Sequence, residues 1–325
     1  MTRIVFALVP GVHLLDLAGP AQVFSTAAGL GHPYELCHVS ERADVPSAQG
    51  LTLRASTHWP ALGAGDIVVV PGWRRAPGHP PAPVVAPATA RRIAAHHAAG
   101  GLVASVCAGA FALGQAGLLD GRRCTTHHEL QDDLARHHRS ATVVRDVLYV
   151  TDDRVVTSAG IASGIDLALH LVAARHGPAT AARTARAMVV YARRNGDAPQ
   201  AGAMLRHRAH LSDAVHRAQD LIDARYTSPL RLTDLAAAAG VSERTLTRRF
   251  TAATGLTPLR YQQELRLEHA ERLIGQGTTV EAAAHAVGFT DARMLRRLRL
   301  RSRIPAAPTA APAATADSVV LAAST

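Results

Sequence analysis

Two groups of side chains in this sequence have types and spacings that could do chemistry. Arg244, Thr247 and Arg248 lie at three- and four-residue intervals with Arg249 beside them, and Arg293, Arg296 and Arg297 repeat the theme further along. Guanidinium forks along one helix face present paired donors that match guanine O6 and N7, or pair with phosphate. The second group centres on Cys107, where the apolar run Leu102-Val103-Ala104-Ser105-Val106 turns into the helical pattern Ala108-Gly109-Ala110-Phe111. A cysteine at such a turn resembles a nucleophile elbow. A helix N-terminus favours the thiolate, so this position predicts a lowered thiol pKa at an accessible site. The alternative is a structurally retained cysteine with no chemistry.

The elements that position the arginines are legible in a repeat. Leu232-Thr233-Asp234-Leu235-Ala236-Ala237-Ala238-Ala239-Gly240-Val241-Ser242 is followed later by Val280-Glu281-Ala282-Ala283-Ala284-His285-Ala286-Val287-Gly288-Phe289. Each is a short helical pattern, a glycine turn and an arginine-bearing helix. The first turn needs close crossing of two helices, and Gly240 tolerates the positive φ this requires. Thr233 and Ser242 are the expected N-caps of its two helices. In the helix that follows, Leu246 and Phe250 are one turn apart and face a core, which directs Arg244, Thr247 and Arg248 outward. Between the copies a helix is predicted over Pro258 to Leu273, with Leu259, Tyr261, Leu265, Leu267 and Leu273 as its apolar positions. Two such heads on one rigid helix would address successive major grooves, about 34 Å apart. The plain alternative is a helical bundle with solvated arginines. It leaves the coincidence of turn glycine, buried pair and outward arginines in the first copy without a cause.

Charge points the same way. All 35 Lys+Arg residues are arginine, and residues 206 to 303 carry a net charge of +7 against +3 for the rest of the chain. The excess sits where the repeat lies, as expected for a double-stranded DNA partner. No apolar run approaches the roughly 20 residues of a membrane helix, and Met1 to Val9 reads as a first strand, so a cytoplasmic protein is expected. Cys37, Cys107 and Cys124 have no metal spacing. His207 and His210, though on one helix face, have no cysteine or carboxylate to complete a tetrahedral set, so neither a metal nor another cofactor is expected.

Residues 212 to 304 resemble the AraC/XylS family of transcription regulators. The motifs are Leu235-Ala236, Gly240-Val241-Ser242, Arg244, Leu246, Arg248, Phe250, Gly255, Thr257-Pro258 and Tyr261, then Val287-Gly288-Phe289 and Leu295. The resemblance implies base-facing roles for Arg244, Thr247 and Arg248 in the first head and for Arg293 and Arg297 in the second. The chain departs from the family where a second aromatic and a Gly-x-Ser/Thr-Pro turn should follow: it has Arg299 and Ile304-Pro305-Ala306-Ala307, leaving Leu298 or Leu300 to fill the aromatic's place.

The first part of the chain alternates short β-branched runs with alanine-rich stretches, the pattern of a parallel sheet covered on both faces. Strands are predicted over 3–9, 34–39, 66–70, 102–106, 142–144, 148–150 and 155–157, and helices over 17–28, 88–99, 108–116, 129–138 and 164–176. Residues 3 to 176 resemble the PfpI-like superfamily, related to class I glutamine amidotransferases. They do so through Leu15-Asp16-Leu17-Ala18-Gly19-Pro20-Ala21-Gln22-Val23-Phe24, Val69-Val70-Pro71-Gly72, Ser105-Val106-Cys107-Ala108-Gly109, Leu118 to Arg122, Thr125-Thr126-His127 and Thr157 to Asp166. Enzymes of that group bring a histidine to the elbow cysteine. Here the next residue is Ala108, and His127 would have to approach from another loop. Isocyanide hydratases share the aspartate and cysteine motifs, which implies acid/base and nucleophile roles for Asp16 and Cys107 if the chain is an enzyme.

The fusion of the two parts resembles the GlxA-type regulators, whose first domain is taken to sense and dimerise. The whole is therefore expected to be a flavodoxin-like α/β three-layer sandwich with a mostly parallel sheet, followed by an all-α domain with two helix-turn-helix units. The expected boundaries are 1–192 for sensing and dimerisation, 193–211 for a linker, 212–304 for DNA binding and 305–325 for a disordered tail, with a proline-rich loop over 73–87. A helix is predicted over Leu205 to Tyr226. The expected function is that of a non-enzymatic regulator binding double-stranded DNA and an unknown small-molecule effector, homodimeric, with RNA polymerase as a further partner and no membrane. No catalytic residue is expected, and Cys107, Asp16 and His127 are the candidates for a vestigial or sensing role. The alternatives are an isocyanide hydratase-like enzyme using Cys107, and a redox sensor using the same thiol.

Overall fold

The computed structural model describes residues 1–74, 85–190, 194–200, 202, 206–275 and 277–303. Most of the expected proline-rich loop, the turn over 304–307 and the tail over 305–325 lie outside the described residues. Two compact units are present, Met1–Gln200 and Ala201–Thr325.

In the first unit the order is β1 (Thr2–Ala7), α1 (Leu14–Gly29), β2 (Tyr34–Val39), β3 (Asp44–Pro46), β4 (Thr52–Arg54), β5 (Ile67–Val70), α2 (Pro87–Ala98), β6 (Leu102–Val106) and α3 (Gly109–Gln115). It continues through β7 (Arg123–Cys124), α4 (Gln131–His137), β8 (Thr142–Val143), β9 (Tyr149–Asp152), β10 (Val155–Ser158), α5 (Ser163–His176) and α6 (Pro178–Ala187). Six strands form one sheet in the order β2-β1-β5-β6-β10-β9, parallel except for the β10–β9 pair. Every residue of β5 and β10 is buried, because helices cover both faces and leave no solvent side for alternation. This is the doubly wound arrangement the pattern predicted, and β2 and β6 coincide with their predicted spans. The β3–β4 hairpin and α6 went unpredicted. Register matters for the site: Ser105 of β6 pairs with Val70 on one side and Thr157 on the other, so three strand ends and their following turns converge just beyond Val106. Ligand crevices form at such carboxyl ends.

The second unit consists, among the described residues, of α7 (Asp213–Arg225), α8 (Leu232–Ala239), α9 (Glu243–Thr254), α10 (Pro258–Gly275), α11 (Val280–Ala286) and α12 (Ala292–Arg303). It has two small cores. Val215, Ile222, Leu235, Leu246, Phe250, Tyr261 and Leu265 form the first. Ala270, Ala283, Val287, Phe289, Leu295 and Leu298 form the second, so α10 serves both.

Three expectations are corrected here. Leu205 lies outside the described residues, and the helix predicted from there is interrupted after Arg206 and resumes only at Asp213. His207 to His210 instead turn back along α7, where Gln219 Nε2 donates to the His207 carbonyl at 2.9 Å and Arg208 pairs with Asp220 and Asp223. Thr233 is not an N-cap: it lies inside α8, after Arg231, and its hydroxyl donates to Glu243 Oε1 at 2.7 Å. Leu259 is 63% exposed and belongs to neither core. Gly240 and Ser242 behave as expected, with φ of +68° at the glycine and Ser242 Oγ accepting from the Thr245 amide. No helix among the described residues is long and apolar enough to cross a membrane.

Candidate functional site

The crevice of the first unit is built on the turn between β6 and α3. Cys107 adopts φ of +55°, a left-handed conformation that costs a non-glycine residue about 1–3 kcal/mol and persists only where the surroundings impose it. They do so on both flanks. Its amide donates to the Ser158 carbonyl at 3.0 Å, and its carbonyl accepts the Thr126 hydroxyl at 2.7 Å. Two glycines make room for the side chain. A Cβ on Gly160 would lie 2.2 Å from Cys107 Cβ. One on Gly72 would lie 2.4 Å from Asp16 Oδ2 and 2.7 Å from Cys107 Cβ. The carboxyl and the thiol therefore face one small space between two loops that only glycine permits.

Asp16, in the first turn of α1, is completely buried. Oδ1 accepts the Ile161 amide at 2.6 Å, while Oδ2 sits beside Cys107 without a well-formed hydrogen bond among the described residues. Burial holds this carboxyl above its ordinary pKa, despite the opposing effects of the Ile161 amide and the nearby His13. Burial likewise pushes the Cys107 thiol far up, and the Asp16 charge adds to it. The predicted lowering is thus reversed. Cys107 is only 6% exposed, and the helix N-terminus does not compensate for lost solvation.

His127 is placed at the rim, with its side chain 25% exposed, Nδ1 3.7 Å from Glu129 and its ring 4.2 Å from that of His128. Burial and His128 depress its pKa. It forms no hydrogen bond with Cys107, so the structure unites Asp16 and Cys107 but leaves His127 at the margin. His13 was missed by sequence reasoning. It bears electrostatically on both Asp16 and His127, and Gln49 binds its Nδ1 at 3.2 Å while accepting the Leu14 amide at the start of α1. Its only sequence signal was adjacency to the Asp16 motif.

The crevice wall is also tied to the end of the first unit. The Thr126 carbonyl accepts Gln200 Nε2 at 3.0 Å, and Leu148 donates to the Gly196 and Ala198 carbonyls. Arg194 grips buried Asp166 through its amide, Nε and NH2 groups at 3.2, 3.1 and 2.5 Å.

In the second unit, Arg244, Arg248 and Arg249 are exposed on α9. Arg244, Thr247 and Arg248 line one recess of about 440 Å³ with Leu232, Glu243 and Thr251, and Arg249 lies outside it. The Thr247 hydroxyl donates to the Glu243 carbonyl, which leaves its methyl for contact. Leu232 and Thr251 extend this face beyond the residues the sequence singled out.

The second recognition helix differs. Arg296 pairs with Glu281, Arg293 lies 3.7 Å from Asp291, and Arg299 bonds Glu271 at 2.6 Å. Arg297 approaches the Met294 sulfur. Leu298 fills the aromatic's place, being 3% exposed, whereas Leu300 is 66% exposed. His207 and His210 are engaged separately, with Glu264 and Gln219 at 3.2 Å each.

An α/β unit with a cysteine crevice at its strand ends, joined to tandem helix-turn-helix units, defines a two-part chain. This chain belongs to the DJ-1/PfpI family, which matches residues 2–174, and carries a helix-turn-helix domain of the AraC type, matched over residues 235–302. It is similar to the HTH-type transcriptional regulator CdhR of Pseudomonas aeruginosa, at 27% identity over 308 residues, 93% of this chain and 89% of the relative. It is also similar to an isonitrile hydratase of Pseudomonas putida, at 36% identity over 172 residues, 52% of this chain and 70% of that enzyme. Among solved structures, an AraC family transcriptional regulator from Pseudomonas putida shares the fold with a TM-score of 0.50 and 24% identity, covering 58% of this chain and all of that one.

Proposed function

We propose that this chain is a cytoplasmic, sequence-specific transcription regulator that reads bipartite sites in double-stranded DNA. Residues 1–192 sense and dimerise, 193–211 link, and 212–304 bind DNA, with RNA polymerase as a further partner. The observation that carries this reading is the outward face of α9, where Arg244 and Arg248 share a recess and have no acidic partner among the described residues. The match to a regulator over nearly the whole chain supports it. A small molecule in the crevice around Asp16, Cys107 and His127 would act by a population shift. The bonds from Thr126 to both Cys107 and Gln200 offer a path from that crevice to the linker. In this reading the crevice binds its effector without turning it over, a role that fits the buried Cys107 thiol, whose thiolate burial disfavours.

The test is selection of random duplexes by the full-length protein, then binding of the winner and of scrambled DNA across a salt series. Two enriched boxes about one helical turn apart are expected. Arg248→Ala should abolish sequence preference. Arg249→Ala should weaken all sequences alike and flatten the salt slope by about one charge. Equal effects from both would sink the assignment.

A second reading keeps an isocyanide hydratase-like activity, because the Asp16 carboxyl and Cys107 face one space and an enzyme relative covers this unit. It requires turnover of an isonitrile that Cys107→Ser eliminates without changing DNA binding. A purified protein inert towards isonitriles removes it.

A further inference from the structure

The two helix-turn-helix units are held together by more than the helix they share. Arg266, on α10, donates from Nε to the Tyr226 carbonyl at 2.6 Å and from one terminal nitrogen to the Ser228 carbonyl at 3.0 Å. Its other terminal nitrogen donates to the Gly288 carbonyl at 2.8 Å. Tyr226 and Ser228 follow α7 in the first head, and Gly288 is the turn of the second. Both are helix C-terminal ends, where unpaired carbonyls gather and a cation is favoured. A guanidinium fork reaches both at once, which a lysine ammonium cannot do in one plane. The same group lies 5.5 Å above the Phe289 ring. One turn earlier, Gln262 also binds the Tyr226 and Ser228 carbonyls, at 2.9 and 2.8 Å, but makes no hydrogen bond to the second head among the described residues. The seam is tight: a Cβ on Gly288 would fall 1.8 Å from the Thr227 carbonyl oxygen.

We propose that Arg266 is a positioning residue that sets the separation the protein accepts between its two DNA boxes. Without the fork the second head remains attached through α10, its own core and the Gly288–Thr227 contact, yet loses the hydrogen bonds that fix its rotation against the first. One base pair of spacer changes the target by about 3.4 Å and about 34° of rotation, given about 10.5 base pairs and about 34–36 Å per turn. A rigid seam rejects that change and a hinged one follows it. The proposal rests on the DNA-reading function above.

The experiment uses full-length wild type, Arg266→Gln and Arg266→Lys against duplexes carrying the two selected boxes with spacers altered by one or two base pairs, and against the first box alone. Wild type is expected to lose about tenfold or more affinity per base pair of change. Both variants should bind the single box within about twofold of wild type while accepting altered spacers with a loss of under about threefold. Arg266→Lys keeps the charge and the packing of the stem, so it reports even where Arg266→Gln unfolds. Variants with the wild-type spacer profile would overturn the proposal, as would a loss on the single box equal to the loss on the paired site. Failure of wild type to select any box would count against the regulator function itself.

Discussion

Asp16 and Arg244 belong to opposite ends of one physical scale. Each is an ionisable group without an opposite charge bonded to it, but Asp16 is fully buried and Arg244 stands in solvent. Burial raises the pKa of both Asp16 and Cys107, so the crevice sets a carboxyl that resists ionisation beside a thiol that does the same. Solvation preserves the arginine's charge and leaves its five donors free. The second recognition helix falls between these extremes. Arg293, Arg296 and Arg297 are exposed like the arginines of α9 and Arg299 is half-buried, but Arg293, Arg296 and Arg299 already have acidic neighbours. Exposed pairs of this kind contribute about 0–1 kcal/mol, so phosphate can displace them, at the cost of the pair. What the contrast teaches is that arginine count does not measure reading power; the state of each guanidinium does.

The sharpest test compares the two helices. Arg244→Ala should cost about 1–3 kcal/mol of discrimination, roughly fivefold to over a hundredfold between selected and scrambled DNA. Arg296→Ala should cost less than about threefold by the same measurement. Similar losses would erase the distinction between the heads. A smaller effect is expected from freeing a paired arginine: Glu281→Gln releases Arg296, tightens binding to all sequences by a few-fold, and steepens the salt slope by about one charge. An unchanged slope would show that Glu281 does not restrain Arg296.

The smallest effect tests the buried end of the scale. Because burial raises the Asp16 pKa, the folded chain holds that proton more tightly than the unfolded one. The penalty on the ionised form is present above the folded pKa and vanishes below the ordinary carboxyl value of about 3.9. Asp16→Asn, whose Oδ1 can still accept the Ile161 amide, should therefore raise the melting temperature by a few degrees near pH 8, with the gain shrinking towards pH 4. A gain independent of pH would mean that charge is not its cause.

Much of this was legible in the chain. Leu102 to Val106 read as a buried strand because a nearly continuous apolar run has one favourable environment, whereas Tyr34 to Val39, interrupted by Glu35 and His38, is the half-buried edge strand β2. Gly240, Ser242, Leu246 and Phe250 announced a helix-turn-helix because a cap, a positive φ and an apolar pair are local requirements. The β3–β4 hairpin was hidden, since three-residue strands with Pro46 at one end carry too little alternation to stand out. The place of the missing aromatic lay between Leu298 and Leu300 until packing against α10 and α11 chose Leu298.

The sequence by itself determined the two-part architecture, the turn at Cys107 and the outward face of α9, because these follow from periodicity and from residues within a turn or two of one another. The tertiary structure alone decided which charges survive. Gly72 and Gly160 close over Cys107 from loops distant in sequence, Glu271 and Glu281 come to Arg299 and Arg296 from other helices, and Arg266 finds carbonyls of both helix-turn-helix units. Solvation and pairing depend on what arrives in space, and no local pattern encodes the arrival.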